Sequence, residues 1–175
     1  MYEFWGFKKK KFGFLGSNVR INGHSFFGCS ENIYIYDNVF IGRDTYMDAI
    51  SEIRIESGTM IGPRCTFIGS SHNYNSEDLK SLPFDNVVFD RQIHVKKNVW
   101  IGAGVMICPG TIVGEGAVIG AGTTIYGEIP PFSVVVSTGY KIIKMRDKNK
   151  YYELKKNNCL YNTMFSGSPF FKKEY

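Results

Sequence analysis

The sequence predicts an all-β solenoid built from six-residue repeats, and three observations carry that reading. Large aliphatic residues recur every six positions, most cleanly as Val95, Ile101, Ile107, Val113, Ile119 and Ile125. Small residues Val99, Val105, Thr111, Ala117 and Thr123 stand four positions after the first five of these. The pattern returns upstream in shifted registers, as Leu15, Ile21, Phe27, Ile33, then Ile35, Ile41, Met47, Ile53, then Ile55, Ile61, Phe67. Self-similarity at a fixed period is the mark of a solenoid. A helix would need apolar residues every 3.6 positions, and the glycine density together with Pro63 and Pro109 opposes helix. A period of six suits a very short strand plus a turn, with the large and the small residue pointing inward. Gly102, Gly114 and Gly120, each following a large residue, would supply backbone conformations that other residues avoid.

The elements follow in order. Residues 1–14, MYEFWGFKKKKFGF, read as an N-terminal cap in which Phe4, Trp5, Phe7, Phe12 and Phe14 cover the open end, because terminal coils need capping. No continuous apolar stretch follows Lys8–Lys11, which excludes a secretory signal. Weak contact with an anionic membrane surface is a second reading of this aromatic and lysine segment. Residues 15–130 form the stack. Ile35 lies twenty residues after Leu15, Ile55 twenty after Ile35, and Val95 forty after Ile55. Three hexads therefore make a coil of eighteen, with two extra residues at one corner of each early coil and an excursion over 70–92 in the third. About five coils result. After Pro130 and Pro131 the hexads stop. Residues 131–175 hold a short helix over Lys141–Asn158, a stretch free of Gly and Pro, and then an irregular aromatic tail.

Composition bounds the function. At 175 residues and 43% apolar content the chain forms one domain with a real core. No apolar run approaches the roughly 18 residues of a membrane-spanning helix. Cys29, Cys65, Cys108 and Cys159 lack close pairing and read as reduced thiols of a cytoplasmic protein, with Cys65 at an inward small position. The net charge of +5 is concentrated at the two ends of the chain. No basic stripe with interleaved aromatics runs along the repeat, so nucleic-acid binding is excluded.

Chemistry is expected on the excursion, because long insertions in compact folds are functional or disordered. It opens with Ser70, Ser71, His72, Asn73 and Tyr74. An imidazole, with a pKa near 6.5, accepts a proton at neutral pH. On position alone, an incidental surface histidine is the simpler reading.

From His72 onward the chain resembles the hexapeptide-repeat acyltransferases, specifically the branch of galactoside, maltose and xenobiotic O-acetyltransferases and their relatives in polysaccharide biosynthesis. The resemblance rests on the ordered set SSHNY, Asn98-Val99-Trp100-Ile101-Gly102, Cys108-Pro109-Gly110, Ile119-Gly120-Ala121-Gly122 and Ile129-Pro130-Pro131. It is strong over residues 35–145 and absent from the first dozen residues and the tail.

That resemblance implies a left-handed parallel β-helix, an exception to right-handed crossovers, assembled as a homotrimer with active sites between subunits. It implies acetyl-CoA as co-substrate, no metal, and a sugar or glycan acceptor. His72 takes the place of the family's general base. The backbone N–H of Ala103 falls where the family stabilises the oxyanion. Trp100 matches the tryptophan beside the reactive end of the cofactor, although an aromatic packed at a coil corner reads the same way. Ala121 falls where the pantetheine arm passes, and Lys141 and Lys144 match basic positions that meet the cofactor's phosphates. Asp48 aligns with an asparagine near the acceptor, its plain reading being a turn aspartate, and Tyr74 joins it as an acceptor-site candidate.

Two departures bear on cofactor contact: Ser137-Thr138-Gly139 replaces the usual Gly-x-Pro, and Tyr126-Gly127 replaces a Thr-Lys pair. The resemblance implies a cytoplasmic sugar O-acetyltransferase of surface polysaccharide biosynthesis. An N-acetyltransferase of a nucleotide-linked amino sugar on the same scaffold is the alternative. A zinc hydratase would need three clustered imidazoles, and His24, His72 and His94 are not so spaced; His24 reads as an exposed turn residue and His94 as an outward neighbour of Val95.

Overall fold

The computed structural model describes residues 11–137, 147–157, 159 and 171–172. They fall into two compact units, residues 1–70 with 91–138 and residues 71–90 with 139–175.

The first unit is a parallel β-solenoid of about six turns with three faces. Its first face stacks Phe14–Leu15, Ile33–Ile35, Ile53–Ile55, Ile93–Val95, Ile112–Val113 and Glu128–Ile129. The second stacks Arg20–Ile21, Phe40–Ile41, Met60–Ile61, Trp100–Ile101, Val118–Ile119 and Val134–Val135. The third stacks Phe26–Gly28, Tyr46–Asp48, Thr66–Ile68, Met106–Ile107 and Thr124–Ile125. Neighbouring strands are in register on the repeat: Ile101 lies opposite Ile61 and Ile119, and Ile107 opposite Phe67 and Ile125.

Alternation of side chains along each short strand turns the large residue inward and its neighbour outward. Ile41, Ile61, Ile101, Ile107 and Val113 are fully buried in one continuous core. The small residues four positions on, among them Val99, Val105 and Ala117, fill the corners. Threonines at the same corner positions bring a hydroxyl that burial favours pairing; that of buried Thr123 has no hydrogen-bond partner among the described residues, whereas two others are satisfied by backbone. Thr45 Oγ1 donates to the Gly42 carbonyl at 2.8 Å and Thr111 Oγ1 to that of Cys108 at 2.7 Å.

The glycines divide the work differently from the sequence reading. Gly102 and Gly114 are needed for closeness rather than for unusual dihedrals: a Cβ on Gly102 would lie 2.6 Å from Ala121 N, and one on Gly114 would collide with Pro131 N. Left-handed backbone occurs two residues later, at Gly104 and Gly116, and also at Asn38, Asp44, Arg64 and Asn98. Asn and Asp tolerate this region better than other side-chain-bearing residues.

Register also locates the irregularities. Leu15 pairs with Ile35 and Ile35 with Ile55, so early coils have twenty residues, whereas Ile101 pairs with Ile119 eighteen away. The two extra residues lie at the corner from the third face to the first, where Cys29 (φ 48°) leads into the 3-10 turn Ser30–Asn32. The excursion leaves from that same corner. The last coil is shorter, Val113 pairing with Ile129 sixteen residues on, with the deletion at Tyr126-Gly127. The hexads do not stop at Pro131. Val135, six after Ile129, adds another rung by pairing with Ile119. Near the N-terminal end Phe12 packs edge-on against Phe27, ring centroids 5.3 Å apart; Phe4, Trp5 and Phe7 lie outside the described residues.

The second unit has its own small sheet, in which the strand ending at His72 lies beside Val87–Asp90, and Val87–Asp90 beside Phe171–Lys172. Its apolar centre is Leu79, Leu82 and Leu154, with Cys159 against them. The helix runs over Lys148–Lys156, not from Lys141. Asp147, in extended backbone, accepts hydrogen bonds from the N–H groups of Asn149 and Lys150 at 2.9 and 3.0 Å, an N-cap that fixes the start. Residues 141–146 lie outside the described residues. Among the described residues no helix is long and apolar enough to cross a membrane.

Candidate active site

His72 ends the three-residue strand Ser70–His72. Its imidazole is half-buried and stacks on the Phe84 ring, centroids 4.1 Å apart and planes 16° from parallel. Burial pushes its pKa below the ordinary histidine value, and the negative charge of Asp85 works against that push. The net result favours the neutral ring, the form a general base needs.

The backbone around His72 is locked by a polar clamp. Asn73 N–H donates to the Val87 carbonyl at 3.0 Å, and Asp85 N–H donates to that of Asn73 at 3.1 Å. Asn73 Nδ2 donates to Asp85 Oδ2 at 2.8 Å and to Ser76 Oγ at 2.8 Å. Asp85, 1% exposed, also accepts from Val87 N–H at 2.9 Å and Lys80 N–H at 3.4 Å. Sequence reasoning missed Asp85 and Phe84, because the excursion has no period against which to judge a loop aspartate. Tyr74, just beyond the clamp, is exposed.

On the stack, three of the sequence candidates share one edge. Trp100 points outward from the second face, 59% exposed, between Met60 and Val118 on the neighbouring rungs. Ala103 stands two residues after the inward Ile101, and Ala121 two residues after the inward Ile119, so both occupy the following corner one coil apart. There the Ala103 carbonyl accepts from Gly122 N–H at 2.8 Å. Among the described residues the Ala103 N–H donates to no acceptor. Gly62, one coil below, has no side chain to crowd it; a Cβ there would lie 2.7 Å from the Ala103 nitrogen. This corner, kept narrow by glycines, therefore offers an available backbone N–H three residues after the exposed Trp100.

Asp48 closes the third-face strand Tyr46–Asp48, directly opposite Gly28. Its carbonyl accepts from Gly69 N–H at 3.1 Å, which ties it to the residue three before His72. Lys141 and Lys144, with Thr138 and Gly139, lie outside the described residues. Ser137 Oγ accepts from Thr124 N–H at 3.4 Å, and Tyr126 is exposed beside Gly127 at φ 70°.

The other histidines are placed elsewhere. His24 is an exposed turn residue at φ 63°. His94 is half-buried on the first face, its Nε2 2.6 Å from Glu56 Oε1, with Lys96 Nζ 3.6 Å from the same oxygen. That cluster borders a groove of about 420 Å³ whose lining includes Glu56, Lys96, Lys97 and Glu115, on a different corner from Ala103 and Ala121. Among the described residues no three His, Cys, Asp or Glu side chains gather as metal ligands.

Residues 92–127 match the bacterial transferase hexapeptide family, six repeats. Among curated proteins compared by sequence, none matches. Solved structures do. A hexapeptide-repeat-containing acetyltransferase of Vibrio cholerae shares 26% identity over 78% of this chain and 76% of that one, with a TM-score of 0.64; it has also been solved complexed with acetyl coenzyme A. A maltose O-acetyltransferase of Clostridium difficile 630 shares 27% identity over 78% of this chain and 71% of its own, TM-score 0.64. A galactoside acetyltransferase in complex with coenzyme A shares 26% identity over 80% and 68%, TM-score 0.62. In repeat and stack the chain is thus similar to hexapeptide-repeat acetyltransferases, whose repeat goes with the left-handed parallel β-helix.

Proposed function

We propose that the protein is an acetyl-CoA-dependent O-acetyltransferase that acetylates a sugar hydroxyl in surface polysaccharide biosynthesis, working as a cytoplasmic homotrimer. The observation that supports this reading is the desolvated, ring-stacked His72 imidazole, and the uncommitted Ala103 N–H of the hexapeptide stack supports it separately.

Acetyl-CoA, when bound, supplies an activated thioester carbonyl. His72 takes the proton of the acceptor hydroxyl as its oxygen forms the new ester bond, and later returns a proton to the departing thiolate. The Ala103 N–H donates to the carbonyl oxygen that gains negative charge. Such a donor is worth roughly 2.7–4 kcal/mol of barrier, and no acyl-enzyme is needed. Trp100 and Ala121 line the path of the cofactor, Lys141 and Lys144 neutralise its phosphates as point charges, and Asp48 and Tyr74 hold the acceptor.

A thiol-release assay over free sugars, glycans and nucleotide sugars tests the reading. Turnover is expected with a sugar hydroxyl, and His72→Ala should lower kcat at least about a hundredfold. Near-normal turnover in that variant excludes His72 as the base. Activity confined to amino-sugar acceptors excludes O-acetylation.

A further inference from the structure

We propose that Asp85 is a positioning residue for His72, a buried carboxylate that holds the excursion in shape and stabilises the imidazole while it carries the acceptor's proton. The proposal rests on the reading of His72 as general base.

A carboxylate that is 1% exposed has been stripped of almost all its water, and a buried charge is costly unless something compensates it. Asp85 accepts three N–H groups, from Asn73 Nδ2, Val87 and Lys80. Among the described residues it meets no cation. A group used only to tie the loop would need no charge, since neutral acceptors do the same work. What a negative charge adds is attraction for a positive one that forms transiently.

The same hydrogen bonds carry the positional part of the role. The clamp joins Asn73 to Asp85, and the residues immediately before each of them, His72 and Phe84, are the ones whose rings stack. Shortening or loosening the clamp therefore changes the plane in which the imidazole lies.

Other charged groups on the elements packed with His72 in this unit are Asp90 on the adjacent strand and Glu77, Asp78 and Lys80 on the intervening turn. Glu77, Asp78 and Lys80 are exposed and Asp90 is half-buried. The charge that registers at the imidazole is that of Asp85, and it favours the protonated ring against the effect of burial. The proton passes from acceptor hydroxyl to imidazole to thiolate.

The test compares Asp85→Asn with Asn73→Ala, which breaks the same 73–85 hydrogen bond but keeps the carboxylate. His72 is titrated by NMR in the substrate-free protein, where only three histidines contribute. In Asp85→Asn the His72 midpoint should fall by about half a unit or more, the acid limb of kcat/KM should move the same way, and kcat should drop at least about tenfold. In Asn73→Ala the midpoint should hold. Equal shifts in both variants, or none in either, overturn the proposal in favour of a purely structural aspartate. Should Asp85→Asn fail to fold, the parent protein decides: the Asp85 carboxyl carbon resonance should inflect at the His72 midpoint, and a flat trace overturns the coupling. Loss of the base assignment is read separately, from turnover of His72→Ala, because the titrations need no substrate.

Discussion

Gly62→Ala should separate the proposed oxyanion role of the Ala103 corner from its role in stacking, provided it is compared with Gly42→Ala. A Cβ on Gly62 would sit 2.7 Å from the Ala103 nitrogen, so that nitrogen must retreat about 0.7 Å to reach the 3.4 Å of an ordinary contact. Gly42→Ala makes the same kind of backbone collision one coil earlier, against Pro63 N, and a tighter one. Overpacking of this kind costs about 1–3 kcal/mol, and for a chain of this size each kcal/mol lowers Tm by about 2–4 °C. Both variants should therefore melt several degrees low, Gly42→Ala by at least as much as Gly62→Ala. Their catalysis should differ. Proline has no N–H to displace, whereas a donor worth roughly 2.7–4 kcal/mol loses much of its value when moved by a sizeable fraction of an ångström. We expect kcat to fall about tenfold or more in Gly62→Ala and to stay within about threefold of the parent in Gly42→Ala. Thermal melts and the thiol-release assay report the two quantities independently. Equal losses of kcat, or no loss in Gly62→Ala, would refute the assignment of the Ala103 N–H.

Two further outcomes follow from burial. His72 and His94 both titrate below the ordinary value because burial disfavours their charged forms. Between the folded and the ordinary midpoint near 6.5, the unfolded chain binds more protons than the folded one, so stability rises with pH. Tm should therefore fall as pH drops from about 7 to below 6, while kcat/KM keeps its plateau to lower pH than an ordinary histidine base allows; an acid limb at or above 6.5 contradicts this. Cys65 is buried with its thiol pKa pushed up by burial, whereas Cys29 is exposed. A thiol reagent at pH 8 should modify Cys29 rapidly and Cys65 only on unfolding, and rapid loss of the Cys65 thiol from native protein would refute its inward placement.

The fold was legible because the period itself encodes it. Once Ile101 and Ile119 are taken as inward, Trp100, Ala103 and Ala121 are fixed on one edge by counting. What counting misses is whatever breaks the count. Val134–Val135 follows a double proline, yet proline needs only a corner, so the rung continues. The glycines immediately after the large residues could be seen, but their reason is contact between coils, which no single-strand argument supplies. The helix start was hidden because Lys141–Asn158 has no Gly or Pro to mark a boundary, although Asp147 was the better signal. Asp85 left no trace at all: a loop aspartate is ordinary, and only its burial and its hydrogen bonds distinguish it.

The corner from the third face to the first explains why the excursion that carries His72 leaves the stack where it does. In the early coils this corner already carries two residues beyond the hexad, as at Ser30–Asn32, without disturbing the pairing of Phe27 with Met47 or of Ile35 with Ile55. A corner that absorbs two residues without changing register can absorb many, because the strands on both sides stay fixed by their own neighbours and loop length adds closure entropy only slowly. In the third coil it does so, and Ile55 still pairs with Val95 across forty residues. The excursion therefore starts from a rigid base at Gly69, held by the Asp48 carbonyl, and His72 comes only three residues later. A base at His72, as proposed, would suit that arrangement, because a loop that leaves a register-fixed corner can vary in length and sequence without disturbing the pairing of the coils.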